Sequence, residues 1–355
     1  MGLGESLFDL TYLILAIGMG VRLLLEKNKN AKLFGLMAVI LGGGDAFHLI
    51  PRVISHMSPL GFEAHELSLS YGKMITGITM TIFYLLFYFY YREISKDKND
   101  MKKWTIIILS VVRIILVILP QNKWSSGGSY TMGLVRNIPF LIMGILLIVW
   151  SYKNRRTEGL KHMGLLIFLS FLFYLPVVIW VDKIPALGSL MVPKTLAYIF
   201  IVLEGFKYFI KDFSPDNLFN MSITYAVMGL CAGVFYREFT KYYAFTKATH
   251  LGKMHVHTLV LGMLVMAVFY LFSKNMNQAE IEDLKKPIII YNVGLVFTMA
   301  NMMLLGIYEV VSEGSQTLNS SAMEGISGLG HIILGFGLLY TLLKLKKLSV
   351  RSIKI

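Results

Sequence analysis

The sequence predicts an all-α integral membrane protein of about 11 transmembrane helices, with the N-terminus outside and the C-terminus cytoplasmic. Three observations carry that prediction. Hydrophobic residues make up 55% of the 355, and charged residues only 15%, against roughly 25% in a soluble globular protein. Mean hydropathy is +0.63. Apolar runs of bilayer-crossing length, about 20 residues, follow one another along the whole chain with short connections and no room for a soluble domain.

The runs fall near 8–25, 32–50, 72–91, 104–120, 137–151 and 163–181, then near 194–211, 219–235, 255–273, 287–308 and 327–345. No basic region precedes the first run, so it reads as a span and not as a cleaved signal peptide. The opening Met1-Gly2-Leu3-Gly4-Glu5-Ser6 matches a myristoylation pattern, but an outward N-terminus makes that match coincidental. Orientation follows from the 34 Lys and Arg residues: 23 collect on one face, 10 on the other, and Arg113 lies inside a span. The richer face carries Arg92 to Lys103, Lys153 to Lys161 and Lys344 to Lys354, and is read as cytoplasmic. Trp104, Trp124, Trp150 and Trp180 all lie at span ends, where indole prefers the headgroup level.

A net charge of +13 does not indicate nucleic-acid binding, because the basic residues are scattered over loops where the positive-inside rule accounts for them. The single cysteine, Cys231, excludes a disulfide framework, a Cys-ligated zinc site and an iron–sulfur cluster. His65-Glu66 fails as a zincin motif because position 69 is Leu69. No Walker loop and no G-x-S-x-G elbow occurs, which removes ATP-driven transport within this chain and α/β-type serine hydrolysis.

Pro215 and the capping residues around it, from Lys211 to Asn217, break the chain. The expected organisation is a seven-span part over 1–212, a linker at 213–217, and a four-span part over 218–355 ending in a basic cytoplasmic tail. No internal repeat supports an inverted-repeat transporter.

Seven of the eight histidines lie toward the outer face: His48, His56, His65, His250, His255, His257 and His331; only His162 is on the other side. His255-Val256-His257 opens the ninth span and Gly328-Leu329-Gly330-His331 the eleventh, so His257 and His331 enter the membrane from one side at similar depth. Two imidazoles at one level are what a bis-histidine haem or a metal ion requires. His255 and His257 are about 200° apart on a helix, so only one faces a given partner. His250, seven residues before His257, shares its face if the helix begins that early, which gives His257, His331 and His250 as a metal set. The competing reading is helix capping and hydrogen bonding in the headgroup zone. Tyr308, Glu309 and Glu324 are candidate acceptors for the imidazole nitrogens, or ordinary loop residues; the 21 methionines read chiefly as packing.

Ionisable residues inside spans are functional candidates by default. Asp45, His48 and Arg52 form an i, i+3, i+7 stripe on the second span. Arg113 and Glu204, each near the middle of a span, are expected to pair, either as a structural ion pair or with Asp45 and His48 as a charge relay.

Residues 218–345, with Gly233-Val234-Phe235-Tyr236-Arg237-Glu238-Phe239-Thr240, the His255-Val256-His257 motif, Tyr291-Asn292-Val293-Gly294 and Gly328-Leu329-Gly330-His331, resemble a bacterial four-span membrane family, domain of unknown function 2871. The resemblance implies a bacterial plasma-membrane protein and no particular activity. More distantly, His255-Val256-His257 with Leu259 and Gly262 resembles the haem-ligating helix of haem–copper oxidases and related nitric-oxide-response proteins. The absence of a His-His pair and of His-x-x-x-Tyr argues against a copper-containing oxygen-reducing centre.

The leading expectation is therefore a bacterial inner-membrane protein whose back part binds haem b, or else a metal ion, near the outer face, for electron transfer with quinol or sensing of a diatomic gas. The rivals are a proton-coupled transporter or receptor using Asp45, Arg113 and Glu204, and a structural membrane protein without a cofactor.

Overall fold

The computed structural model describes the backbone of residues 2–312 and 320–352, and the side chains of 2–312 and 325–348. The described residues form helices joined by short turns, with no strand. In order they are α1 (Gly2–Leu24), α2 (Lys29–Met57), α3 (Glu66–Ser95), α4 (Asp100–Ile118), α5 (Tyr130–Lys153), α6 (Met163–Trp180), α7 (Met191–Phe209), α8 (Pro215–Tyr242), α9 (His250–His257), α10 (Val265–Ser273), α11 (Gln278–Val311) and α12 (Ser320–Ser352). Between α9 and α10, Thr258–Leu264 winds as a π-helix, so the three pieces make one continuous span, His250–Ser273.

Ten helices among the described residues are long and apolar enough to cross a bilayer; α4 with the turns at Pro120–Ser126, bent by 63°, makes an eleventh. The 11 expected spans are thus recovered, with most helices running several residues beyond the apolar run that marked them. Several of those extensions begin at a side-chain cap. Ser129 accepts from the Met132 amide before α5, and α11 starts with a reciprocal box between Asn277 and Glu280, both bonds 3.0 Å.

The chain divides into two compact units. The front unit comprises Leu15–Ser55 and Leu60–Lys211; the back unit comprises Met1–Ile14, His56–Pro59 and Asp212–Ile355. In the front unit α3 through α7 pack each against the next. Aromatic rings fill the interior: Tyr84, Phe140 and Phe171 meet at centroid distances of 5.0 to 5.5 Å. On α4 the buried residues Ile106, Ser110, Arg113 and Val117 form one stripe, while Ile108, Val111, Val112, Ile115 and Ile118 are exposed on the other side. That is the pattern of a helix with one face to the bundle and one to lipid.

In the back unit α11 is the hub, packing on α9 and on α12, while α8 packs against α9, the π segment and α10. Glycines set these approaches, since without a hydrophobic drive between helices in lipid, close backbone packing carries association. A Cβ on Gly294 would fall on the Leu334 backbone of α12, and one on Gly306 would lie 2.5 Å from the Leu251 amide of α9.

Candidate functional site

The π segment begins directly after His257. Winding with i→i+5 bonds leaves carbonyls poorly served within the helix, and neighbouring helices supply donors. Tyr291 on α11 donates its hydroxyl to the Leu261 carbonyl at 2.6 Å, and Ser222 on α8 donates to the Met263 carbonyl at 2.8 Å. Gly262 lets the Tyr225 ring lie against the wound backbone, and the Tyr225 hydroxyl donates to Asn292 Oδ1 at 2.5 Å.

Just before this segment the three histidines take separate roles. His250 is bound by Glu309, which accepts its backbone N–H at 2.8 Å and its Nδ1–H at 2.5 Å. Thr249 caps the same helix start, accepting from the Leu251 amide at 3.3 Å. His255 turns to α8 and donates Nδ1–H to the Gly229 carbonyl at 2.7 Å, its ring resting on Gly233.

His257 faces α12, where its ring centroid lies 6.3 Å from that of His331 with the planes 86° apart. Each ring is oriented by its own helix: His257 Nδ1 donates to the Lys253 carbonyl and His331 Nδ1 to the Ser327 carbonyl, both at 2.9 Å. A proton on Nδ1 leaves the lone pair on Nε2, and neither Nε2 has a partner among the described residues. Beside His331, Gly328 and Gly335 lie three residues before and four after, on the same face, and a Cβ at either would meet nothing within 4 Å. Exposed Val256, Val260, Ile332 and Phe336 give the surroundings an apolar rim.

The sequence pairing of His257 with His331 is therefore present in the structure, and of the two candidates on the ninth span it is His257 that meets the partner. The set of His257, His331 and His250 for a bare metal ion is not assembled, because Glu309 holds His250. Among the described residues no group of three or more His, Cys, Asp or Glu is placed to hold a metal. Of the expected acceptors, Glu309 serves His250, and the side chain of Glu324 lies outside the described residues.

The front unit corrects a second expectation. Arg113 and Glu204 do not pair. Glu204 lies in the last third of α7, not at its middle, and meets His162 Nδ1 at 3.1 Å in a 670 Å³ surface pocket with Arg155, Arg156, Lys161 and Lys207. Arg113 is 3% exposed and stacks its guanidinium 3.3 Å from the centre of the Phe140 ring. Linear position within an apolar run did not reveal these partners, because Glu204 lies toward the C-terminal end of α7 beside His162 while Arg113 faces Phe140. Asp45 is buried, and the neighbouring His48 has no partner for Nδ1 among the described residues; the charges facing that ring are Lys73, Arg52 and Lys194. Lys73 and Lys194 were not anticipated. Each opens an apolar run, where the sequence reads as an interfacial lysine.

Comparison with known proteins supports the back part alone. Residues 216–348 match the family model described as "Protein of unknown function (DUF2871)", in agreement with the resemblance seen over 218–345. No curated protein matches the chain. No solved structure matches it either.

Proposed function

We propose that this multi-pass membrane protein resides in a bacterial inner membrane and that its back unit holds a b-type haem between His257 and His331, near the outer face, for electron transfer. The observation that carries the reading is the 6.3 Å spacing of two imidazoles with both Nδ1 atoms committed and both Nε2 atoms free. Two metal–nitrogen bonds of about 2.0 Å within that distance leave about 1.1 Å per ring, roughly the radius of a five-membered ring. A backbone carbonyl on Nδ1 is the usual device that sets tautomer and ring orientation in a ligating histidine.

Haem is favoured over a bare ion because two protein ligands suffice when a macrocycle supplies the other four, whereas His250, the third ligand a bare ion needs, is engaged elsewhere. The open space at Gly328 and Gly335 fits a flat group beside His331. Held by both His257 and His331, such a haem would have no position left for a gas, which favours electron transfer. Such a haem would supply a one-electron couple. The chain's own part is to hold two donor atoms at one level, exclude water with the apolar rim and leave the site open to a lipid-soluble quinol.

The test is the absorption spectrum of protein purified from haem-replete cells, expected to be low-spin haem b. His257→Ala and His331→Ala each remove the spectrum or convert it to high spin; His162→Ala, His250→Ala and His255→Ala preserve it. Gly335→Leu lowers haem content in folded protein. Colourless protein without stoichiometric metal, or a spectrum indifferent to His257 and His331, overturns the reading.

A further inference from the structure

The interior of the front unit holds two buried cations that form no ion pair among the described residues, although buried Asp45 lies one turn from His48, which Lys194 faces. Arg113 is 3% exposed and Lys194 7%. They share one pair of tyrosines: Lys194 Nζ lies 5.3 Å from the Tyr174 ring centre and 5.1 Å from that of Tyr198, and Arg113 interacts with the same two residues. Tyr174 donates its hydroxyl to Asn137 Oδ1 at 2.9 Å, which leaves its oxygen to accept from the guanidinium. Arg113 Nε and Nη1 have no acceptor. Neither cation has a carboxylate within ion-pair distance among the described residues, and Glu204, the carboxylate expected for Arg113, is with His162.

A lone buried guanidinium is among the most expensive groups a membrane helix can carry, and Arg cannot shed its proton to escape the cost. Stacking on Phe140 recovers only part of what burying the ion costs. Arg136 adds its own positive charge to the surroundings of Arg113. We infer that Arg113 and Lys194 form the binding site of a small carboxylate solute, held between the two cations against the aromatic walls of Phe140, Tyr174 and Tyr198. The unused N–H groups on Nε and Nη1 are its hydrogen-bond donors, and charge-assisted bonds to a carboxylate are the strong kind. Aromatic faces favour a ligand with a short apolar body over a bare halide. This inference concerns the front unit alone and does not depend on the haem reading.

The experiment uses the full chain in lipid nanodiscs, with thermal unfolding and isothermal titration against acetate, lactate, succinate and benzoate, each as its sodium salt, and sodium chloride as reference. At least one carboxylate is expected to bind saturably and raise the unfolding midpoint where chloride at equal ionic strength does not. Lys194→Met is expected to weaken that binding tenfold or more, and Arg113→Leu to abolish it while leaving the ligand-free protein as stable as before or more so. Arg113→Lys keeps charge without the guanidinium donors and retains partial binding. If no carboxylate binds, or if binding persists in Arg113→Leu, the inference is wrong. An Arg113→Leu protein that unfolds much more easily without ligand, together with a wild type indifferent to carboxylates, assigns Arg113 to packing on Phe140.

Discussion

One residue type on α12 separates two kinds of surface, and one substitution made twice tests it. A Cβ on Gly337 would sit 2.5 Å from the Tyr291 amide nitrogen and 2.6 Å from its Cα. Ordinary contact is about 3.5 Å, so Gly337→Ala requires α11 and α12 to separate by about 1 Å. The obstacle is backbone and cannot rotate away, which places the cost near the top of the 1–3 kcal/mol range for overpacking. Alanine returns about 1 kcal/mol as the better helix former, for a net loss of about 2 kcal/mol. Gly335→Ala, half a turn earlier on the opposite face, meets nothing within 4 Å, so only the favourable part remains and the protein gains up to about 1 kcal/mol. The two variants should differ by about 3 kcal/mol in reversible SDS unfolding followed by circular dichroism in mixed micelles. If they unfold within 0.5 kcal/mol of each other, measured in the same micelles as an order-of-magnitude bound, the close approach of α11 and α12 is refuted.

Three further outcomes follow from the structure. Tyr291→Phe removes the donor to the Leu261 carbonyl and should cost about 1–3 kcal/mol, the penalty of a buried acceptor left unmet; an unchanged unfolding curve would mean that the π segment does not need it. Asp97, in the turn between α3 and α4, feels burial that raises its carboxyl, but hydrogen bonds from Lys102 and the Asn99 amide outweigh it and hold it below the ordinary 3.8. Its contribution to stability is therefore complete above pH 3.8 and lost as pH falls through the lower folded value, and in thermal melts Asp97→Asn should flatten that acid limb. A reporter fused after Ile355 should be active only in the cytoplasm and one inserted at Asn122 only outside; the reverse at both places would invert the topology.

Much of the architecture was legible because the bilayer imposes it. Apolar length is a one-dimensional signal, and it located the ten to eleven helices, among the described residues, that are long and apolar enough to cross a bilayer. The His257–His331 partnership was legible for the same reason, since entry from one face sets depth. What decided between His255 and His257 was lateral packing: Gly229 offers His255 a carbonyl across the helix interface, and nothing in the spacing foretells it. The π winding over Thr258–Leu264 carries no sequence signature; the side chains that serve its carbonyls, Tyr291 and Ser222, lie on other helices. Arg113 is buried as its place inside a span implied, but its surroundings were not legible, because Tyr174 and Phe140 become its neighbours only through the packing of α4 to α7.

The carbonyls that hold the two imidazoles belong to the same helices as the rings, four residues earlier in each case. A helix entering lipid must complete its backbone bonds before it meets its neighbours. Ring aim is thus settled when each segment is inserted, and only the distance between the rings waits for assembly. On the proposed reading, the two donor rings are already turned before any haem arrives. If the proposed haem is bound, its capture draws α12 toward His257, and the cofactor acts in maturation as well as in electron transfer.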